Sequence, residues 1–185
     1  CLDSLVEQEL DDYEIIAIND GSRDSSESIL KEYESRYPGK LRFVTVENGG
    51  QGRAKNIGLS MAEGEYIGFA DSDDYVDRSM FRRLLEKAQE EQADLVVCDF
   101  KRVYPDGEER RESFWQADKP LYAAGQCWNK LFRREIIEKN NVRFISGLNW
   151  GEDFAFVCRY LAGTEKVSYT QALVYDYQRN PGGMT

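Results

Sequence analysis

Three carboxylates stand close together in the run Asp71-Ser72-Asp73-Asp74, directly after the apolar stretch 66–70. A short apolar run of this kind is typical of a buried strand. Carboxylates at this spacing repel one another unless positive charge lies between them, and Mg²⁺ takes one or two carboxylates together with substrate phosphates. The run therefore predicts a metal-assisted enzyme that acts on a phosphorylated donor.

A glycine-rich loop at 48–52 precedes a helix that the sequence predicts from about Arg53 to Ala62. Glycines such as Gly50 allow backbone amides to approach a phosphate, and the N-terminal end of a helix favours an anion. Arg53 and Lys55 add positive charge at that position. The loop predicts a phosphate site, although both basic side chains are equally typical of a solvated helix face.

Two further motifs carry acidic residues. Asp20 and Ser22 belong to the turn 19–22, and the sequence Asn-Asp-Gly-Ser forms turns whatever its function. Glu152 and Asp153 open a predicted helix, where acidic residues suit the helix dipole in any protein. Each motif therefore has a structural explanation beside a functional one.

Strands and helices alternate along the first hundred residues. This alternation predicts an α/β fold with a mostly parallel central sheet and helices on both of its faces. In such sheets ligands bind outside the carboxyl ends of the strands, where the three motifs of the first half fall. The sequence also predicts a hairpin at 105–107. The other main predictions are strands at 13–18, 41–46, 66–70, 94–100, 167–169 and 173–177, and a helix over 128–140.

Composition excludes several other classes of protein. The chain has 185 residues and a net charge of −10, which disfavours nucleic acid as a partner. It has no histidine and no Cys-x-x-Cys pair, so a zinc site is not predicted. No apolar run approaches the roughly 20 residues that span a bilayer. The four scattered cysteines are typical of reduced thiols in a cytosolic protein; they are Cys1, Cys98, Cys127 and Cys158.

The start of the chain has the pattern of an amphipathic helix. Leu2, Leu5 and Val6 share one face of that helix, and the sequence has no initiator Met. We therefore expect the natural chain to begin earlier, with an N-terminal strand before Cys1. Any targeting segment would lie there too.

Five motifs in order closely resemble the family 2 glycosyltransferases, which are inverting enzymes with the nucleotide-diphospho-sugar transferase (GT-A) fold. The resemblance covers essentially the whole chain. Family members normally begin with a strand that carries a Pro-x-Tyr-Asn-like segment, and its absence agrees with the expected missing N-terminus. The motifs are Asn-Asp-Gly-Ser-x-Asp-x-Ser at 19–26, Asn-Gly-Gly-x-Gly-x-Ala-Lys-Asn-x-Gly at 48–58, Asp-Ser-Asp-Asp at 71–74, Trp-Asn-Lys-Leu-Phe at 128–132 and Gly-Glu-Asp at 151–153.

The resemblance implies that one group of residues binds the nucleotide. Asp20 would accept a hydrogen bond from the base, and Asp71 would contact the ribose or the waters of the metal. The full set implied for the nucleotide is Asp20, Ser22, Gly50, Arg53 and Asp71.

The resemblance also implies a metal ligand and a catalytic base. Asp73 would ligate Mg²⁺ or Mn²⁺, and Asp74 is an alternative ligand that spacing alone does not separate from it. Asp153 would take the proton from an acceptor hydroxyl as that hydroxyl attacks the anomeric carbon. One displacement without an enzyme nucleophile inverts the configuration.

Five more residues receive weaker assignments. Lys55 and Lys130 are assigned to phosphate, and Glu152 to orienting the acceptor. Trp150 is assigned either to stacking on an acceptor sugar or to burial. Arg179 resembles the basic position of a loop that closes over the diphosphate.

The implied protein is a single catalytic domain over 1–185, with a nucleotide-binding half at 1–100 and an acceptor-binding half at 101–185. Its donor would be a nucleotide-diphosphate sugar, UDP-linked by family habit. Its acceptor would be a saccharide or a lipid-linked molecule in cell-surface polysaccharide synthesis. We expect a cytoplasmic location or one at the inner face of the membrane, and leave open peripheral membrane association and homo-oligomer formation.

Two alternative functions stay open from the sequence. A nucleotidyltransferase would share the sheet and the acidic metal site, but the Gly-Glu-Asp motif at 151–153 disfavours it. A non-catalytic nucleotide-sugar-binding module would be expected to have lost Asp73 or Asp153, and both are present.

Overall fold

The computed structural model of the chain describes residues 1–113, 125–148 and 150–179, apart from the side chain of Leu173. The helices in these ranges are α1 (Leu2–Val6), α2 (Ser26–Arg36), α3 (Gln51–Met61), α4 (Met80–Glu91), α5 (Arg134–Lys139) and α6 (Glu152–Leu161). The strands are β1 (Ile15–Asp20), β2 (Leu41–Val46), β3 (Tyr66–Gly68), β4 (Tyr75–Val76), β5 (Leu95–Val103), β6 (Glu109–Glu112), β7 (Lys130–Arg133) and β8 (Val167–Gln178).

The described strands form two sheets. β1 and β2 pair in parallel as a two-stranded sheet. The other six strands form a larger sheet with the order β3-β7-β5-β8-β4, and β6 pairs with β5. In this larger sheet β5 and β8 are parallel, whereas the β3–β7, β4–β8, β5–β6 and β5–β7 pairs are antiparallel. The prediction of a mostly parallel central sheet is therefore wrong for the larger sheet.

The antiparallel pairs have identifiable causes in the second half of the chain. β5 and β6 are joined by the tight turn at 104–108, which confirms the predicted hairpin, and parallel neighbours would need a crossover of a dozen or more residues. The predicted helix over 128–140 is wrong in its first part, where β7 pairs with both β3 and β5. Only Leu131 and Phe132 of β7 are apolar, and so short an apolar run does not show whether it is helix or strand.

β5 lies at the centre of the core because its successive side chains point to opposite faces of the sheet. Leu95 and Val97 pack on one face with buried residues of α3, α5 and α6. Val96 and Cys98 pack on the other face with the buried side of α4. Helices therefore cover both faces of the larger sheet, as the sequence predicts.

The two-stranded sheet has a smaller core of its own. Val6 packs with Ile15 and Leu41, and Leu2 and Leu5 pack against this cluster, which confirms the apolar face predicted for α1. α2 has no buried residue. None of the helices in the described ranges is long and apolar enough to cross a membrane.

Candidate functional site

A cleft of about 2270 Å³ is lined by residues of both sheets and of the loops that follow their strands. Eight predicted site residues line it: Asp20, Ser22, Lys55, Asp71, Asp73, Trp150, Glu152 and Asp153. The other five predicted residues are described by the structure but lie outside the lining: Gly50, Arg53, Asp74, Lys130 and Arg179. The acidic turn after β3, residues 71–74, and the acidic start of α6 thus both contribute to the lining of one cleft.

Asp153 lies in the first turn of α6 and has both carboxylate oxygens fixed. Its Oδ1 accepts a hydrogen bond from Lys55 Nζ at 2.7 Å, and its Oδ2 accepts one from the backbone N–H of Cys127 at 3.0 Å. Burial lowers the pKa of Lys55, but the negative charges of Asp153 and Asp71 outweigh burial and leave that pKa raised. A carboxylate held in one direction at the wall of a cleft is suited to accept a proton there.

Trp150 and Glu152 flank the turn into α6. The chain turns at Gly151, which has φ +76°, a conformation that glycine adopts without strain. Trp150 is 85% exposed, so burial, one of its two predicted roles, is wrong. Glu152 lines the cleft, and its side chain makes no hydrogen bond or ion pair with any residue in the described ranges. An aromatic ring and a carboxylate are therefore presented to the cleft beside Asp153.

The Asp71 carboxylate of the acidic turn is strongly perturbed by its surroundings. Burial raises its pKa to about 6, the charge of Lys55 opposes the rise, and the carboxylates of Asp153, Asp74 and Asp73 add to it. No group in the described ranges donates a hydrogen bond to the carboxylate oxygens of Asp71, although its backbone oxygen accepts one from the N–H of Asp74 at 3.2 Å. The ionised form of Asp71 thus requires positive charge nearby.

Asp74 is only 2% exposed and binds to β8 instead of facing the cleft. Its Oδ2 accepts a hydrogen bond from Tyr175 Oη at 2.7 Å, and its Oδ1 accepts one from the backbone N–H of Gln178 at 2.7 Å. Burial raises its pKa to about 6, and both hydrogen bonds oppose that rise. We therefore assign Asp74 to anchoring the acidic turn and not to the alternative metal-ligand role.

The acidic turn fits a cation that shares its ligands with a phosphate. Mg²⁺ commonly takes one or two carboxylates and completes its shell with phosphates and water. Asp71 supplies a carboxylate that burial disfavours as an anion, and Asp73 is exposed at the cleft. Among the residues that the structure describes, no three Asp, Glu or Cys side chains are grouped to hold a metal ion by themselves.

Asp20 holds the glycine-rich loop. Its two carboxylate oxygens accept hydrogen bonds from the backbone N–H groups of Gly49 and Gly50, each at 2.8 Å. The turn and the loop are in close contact, because a Cβ on Gly21 would lie 2.8 Å from the backbone nitrogen of Asn48. The Gly50 amide, to which the sequence assigns a phosphate contact, therefore donates to Asp20 in this structure.

Ser22 and Arg53 differ in their relation to the cleft. Ser22 is exposed at the cleft, and its backbone N–H donates to Asn19 Oδ1 at 3.0 Å, as turn chemistry predicts. Arg53 Nη1 donates to the backbone oxygen of Glu47 at 2.7 Å, and its exposed side chain lies outside the cleft lining. Arg53 therefore stabilises the loop that precedes its own helix.

Lys130 and Arg179 do not line the cleft. Lys130 is fully buried on β7, and its Nζ donates to the backbone oxygen of Gln126 at 2.6 Å and to Asn129 Oδ1 at 2.7 Å. Burial lowers the pKa of Lys130 to about 8. The phosphate contact predicted for Lys130 is wrong, because its head group is enclosed in the core. Arg179 is exposed over the ring of Tyr104, at 5.9 Å from its centroid, and 180–185, the rest of the predicted loop, lie outside the described residues.

Sequence patterns did not indicate two groups that hold the site together. Tyr175 Oη donates to Asp74 and accepts from the backbone N–H of Asp71 at 3.2 Å, which links β8 to the acidic turn. The backbone N–H of Cys127 donates to Asp153. Neither group has a signal in the sequence, because Tyr175 reads as an ordinary strand residue and a backbone amide has no side chain to recognise.

Comparison with known proteins identifies the family. The family whose description is Glycosyl transferase family 2 matches residues 1–157. The chain is 36% identical over 201 residues to the uncharacterized glycosyltransferase EpsJ of Bacillus subtilis, covering 100% of this chain and 58% of that protein. It is 32% identical over 189 residues to the poly(ribitol-phosphate) beta-glucosyltransferase of Bacillus spizizenii, covering 96% of this chain and 29% of that protein. The chain thus spans little more than half the length of the first of these relatives.

A solved structure shows the fold. S. aureus TarS 1-349 in complex with UDP-GlcNAc superposes with a TM-score of 0.86 at 22% identity, over 98% of this chain and 54% of that one. At this identity the likeness concerns the fold alone, and that fold is the GT-A type, so the predicted fold class is confirmed. Because the family match covers most of its length, the chain belongs to glycosyl transferase family 2.

Proposed function

We propose that this domain transfers a sugar from a UDP-linked donor to a hydroxyl of a glycan or lipid-linked acceptor, with inversion at the anomeric carbon. The observation that carries the proposal is that one cleft is lined by the turn with Asp71 and Asp73 and by Asp153, whose carboxylate is fixed. Departure of the diphosphate and activation of the acceptor hydroxyl need separate charged groups at one site. The cleft offers Asp71 and Asp73 for the first and Asp153 for the second.

The donor side of the proposal rests on the first half of the chain. Asp20, Ser22 and Asp71 line the cleft, where they would contact the nucleotide. Asp71 and Asp73 would hold Mg²⁺ or Mn²⁺, which when bound neutralises charge that develops on the departing diphosphate. The TarS structures with UDP and with UDP-GlcNAc support a uridine nucleotide, because this chain shares their fold.

The acceptor side rests on the start of α6. Asp153 takes the proton of the acceptor hydroxyl while the hydroxyl oxygen forms its bond to the anomeric carbon. The bond between that carbon and the diphosphate oxygen breaks in the same displacement, and UDP leaves. Exposed Trp150 offers an aromatic face on which a sugar ring can stack. The name of the poly(ribitol-phosphate) beta-glucosyltransferase supports an acceptor that belongs to a cell-surface polymer.

The test is a donor screen followed by a transfer assay on the purified protein with its natural flanking sequence. We expect UDP-sugars with Mn²⁺ to raise the melting temperature more than GDP- or dTDP-sugars do. We also expect UDP release that depends on an added glycan or lipid-linked acceptor, and NMR of the product should show an inverted anomeric carbon. Retention of configuration would contradict the role of Asp153.

Two results would favour the alternatives. Pyrophosphate release from a nucleoside triphosphate and a sugar phosphate would indicate a nucleotidyltransferase. Tight UDP-sugar binding without turnover, with Asp153 and the acidic turn intact, would indicate a binding module.

A further inference from the structure

Lys55 makes an ion pair whose partner lies on a distant element. It lies on α3, and Asp153 opens α6, 98 residues later in the chain. The nitrogen–oxygen distance is 2.7 Å, and the two side chains are only 15% and 16% exposed. Ion pairs shielded from water to this extent are screened much less by salt than surface pairs. The pair therefore links the loop-and-helix region of the first half to the proposed base.

The head group of Lys55 is also held from a second side. Its Nζ lies 5.4 Å from the centroid of the Phe144 ring, at the distance of a cation–π contact. Phe144 is buried and stacks on Phe156 of α6, with ring centroids 4.2 Å apart and an interplanar angle of 9°. The lysine is therefore fixed between the carboxylate of Asp153 and an aromatic pair that packs on the same helix.

We propose that Lys55 is a positioning residue for the transfer reaction: it holds the Asp153 carboxylate in one direction, and it does not bind the donor diphosphate. The inference rests on the proposed function, because it assigns a role relative to the base. It differs from the phosphate contact that the sequence suggests for a lysine beside a glycine-rich loop.

Several other titratable groups act on this pair. The charge of Asp71 acts on Lys55, and that of Asp153 acts on Lys130 from within the core. The nearby Cys127 thiol is neutral, because burial raises its pKa well above the ordinary value. Glu152 adjoins Asp153 on α6. Among these groups, Lys55 is the cation that contacts the Asp153 carboxylate directly, so its removal leaves one of the two oxygens of Asp153 without its hydrogen-bond donor.

The test compares Lys55→Met and Lys55→Arg with the wild type and with Lys31→Met. Lys31 is the matched control, because it pairs with Glu27 at 2.6 Å on the exposed helix α2. Steady-state transfer kinetics are measured, and UDP affinity in Mn²⁺ is measured by calorimetry. We expect K55M to lower kcat on the order of 10²-fold, the scale of a misplaced catalytic group.

The other arms separate positioning from donor binding and from a general loss of structure. UDP affinity of K55M should stay within about twofold of wild type, because an ion pair to the base does not touch the donor. K55R should recover most of kcat, and K31M should match wild type throughout. If K55M is too unstable to purify, Lys55→Gln shortens the side chain and removes its charge, and it should lower kcat with UDP affinity unchanged.

Two results would overturn the role of Lys55 and leave the proposed function intact. One is an unchanged kcat in K55M when wild type is active. The other is a weakened UDP affinity with kcat unchanged, which would assign Lys55 to the diphosphate. Absence of sugar transfer by wild type with every donor would overturn the proposed function first, and this role with it.

Discussion

The carboxylates of the acidic turn and of the α6 start are the same chemical group in opposite settings. Asp153 accepts hydrogen bonds from a lysine ammonium and a backbone amide. The Asp71 carboxylate accepts none from the described residues, and burial raises its pKa to about 6. The difference shows a division of charge: Lys55 contacts the proposed base directly, whereas it acts on the Asp71 carboxylate through its charge alone.

Asp153→Asn should cause the largest change. The substitution keeps the shape of the side chain but removes the proton acceptor, so we expect kcat to fall by about 10²–10⁴-fold with UDP affinity nearly unchanged. Steady-state kinetics and calorimetry measure the two effects. Glu152→Gln is the matched control, since it neutralises the adjacent carboxylate in the same turn and should cost far less. Near-normal turnover of D153N would contradict the role of Asp153 as the base.

Asp73→Ala should abolish most of the metal dependence of donor binding. If the turn holds a cation jointly with the diphosphate, we expect Mn²⁺ to strengthen UDP binding by about tenfold to a hundredfold in wild type, and hardly at all in D73A. Calorimetry with and without Mn²⁺ gives both values. Asp11→Ala, at an exposed site outside the cleft, should behave as wild type. Equal Mn²⁺ dependence in D73A and D11A would contradict the proposal that Asp73 binds the cation.

Asp74→Ala should lower stability more than it alters the chemistry directly. It leaves Tyr175 Oη and the Gln178 amide without their buried acceptor, which costs about 1–3 kcal/mol in the free energy of unfolding. Asp74→Asn is the control, because its amide oxygen can still accept from the Gln178 N–H while its NH2 group can donate to Tyr175 Oη. Urea unfolding at pH 7 measures the difference. A loss of Mn²⁺-dependent binding in fully folded D74N would return Asp74 to the metal site.

We also expect the stability of the protein to depend on pH. The pKa values of Asp71 and Asp74 rise from 3.8 to about 6 on folding, so the folded state binds more protons than the unfolded state between these values. The free energy of unfolding should therefore decrease as pH rises from about 4 to about 6. Thermal unfolding across this range should show the decline, and Mn²⁺ with UDP should reduce it. A rise in stability over the same window would contradict the assigned environments.

The sequence predicts what depends on local pattern. The strands of the first half, the helices between them and the hairpin at 105–107 follow from apolar periodicity and turn residues. The strand β7 does not, because its two apolar residues, Leu131 and Phe132, acquire their conformation from pairing with β3 and β5. The two predicted strands near the end are one strand, β8, with register shifts opposite Asp99.

Site residues show the same limit. The predicted strand ends bring Asp20, Asp71 and Asp73 to one cleft, as topology leads us to expect, whereas their roles there stay predictions. Residue type fails for Lys130 and Asp74, whose heads are buried against partners that lie elsewhere in the chain or on its backbone. Burial and pairing are tertiary properties, so they cannot be predicted from the presence of a basic or acidic residue in a motif.

The hydrogen bonds from Gly49 and Gly50 to Asp20 have a consequence for the entropy of ligand binding. Fixing the backbone of one residue costs about 1–2 kcal/mol of conformational entropy, and glycine loses more freedom than any other residue. Because the carboxylate of Asp20 already orders this loop, that cost is met on folding. A ligand that binds beside β1 meets a preorganised wall and retains more of its contact energy as affinity.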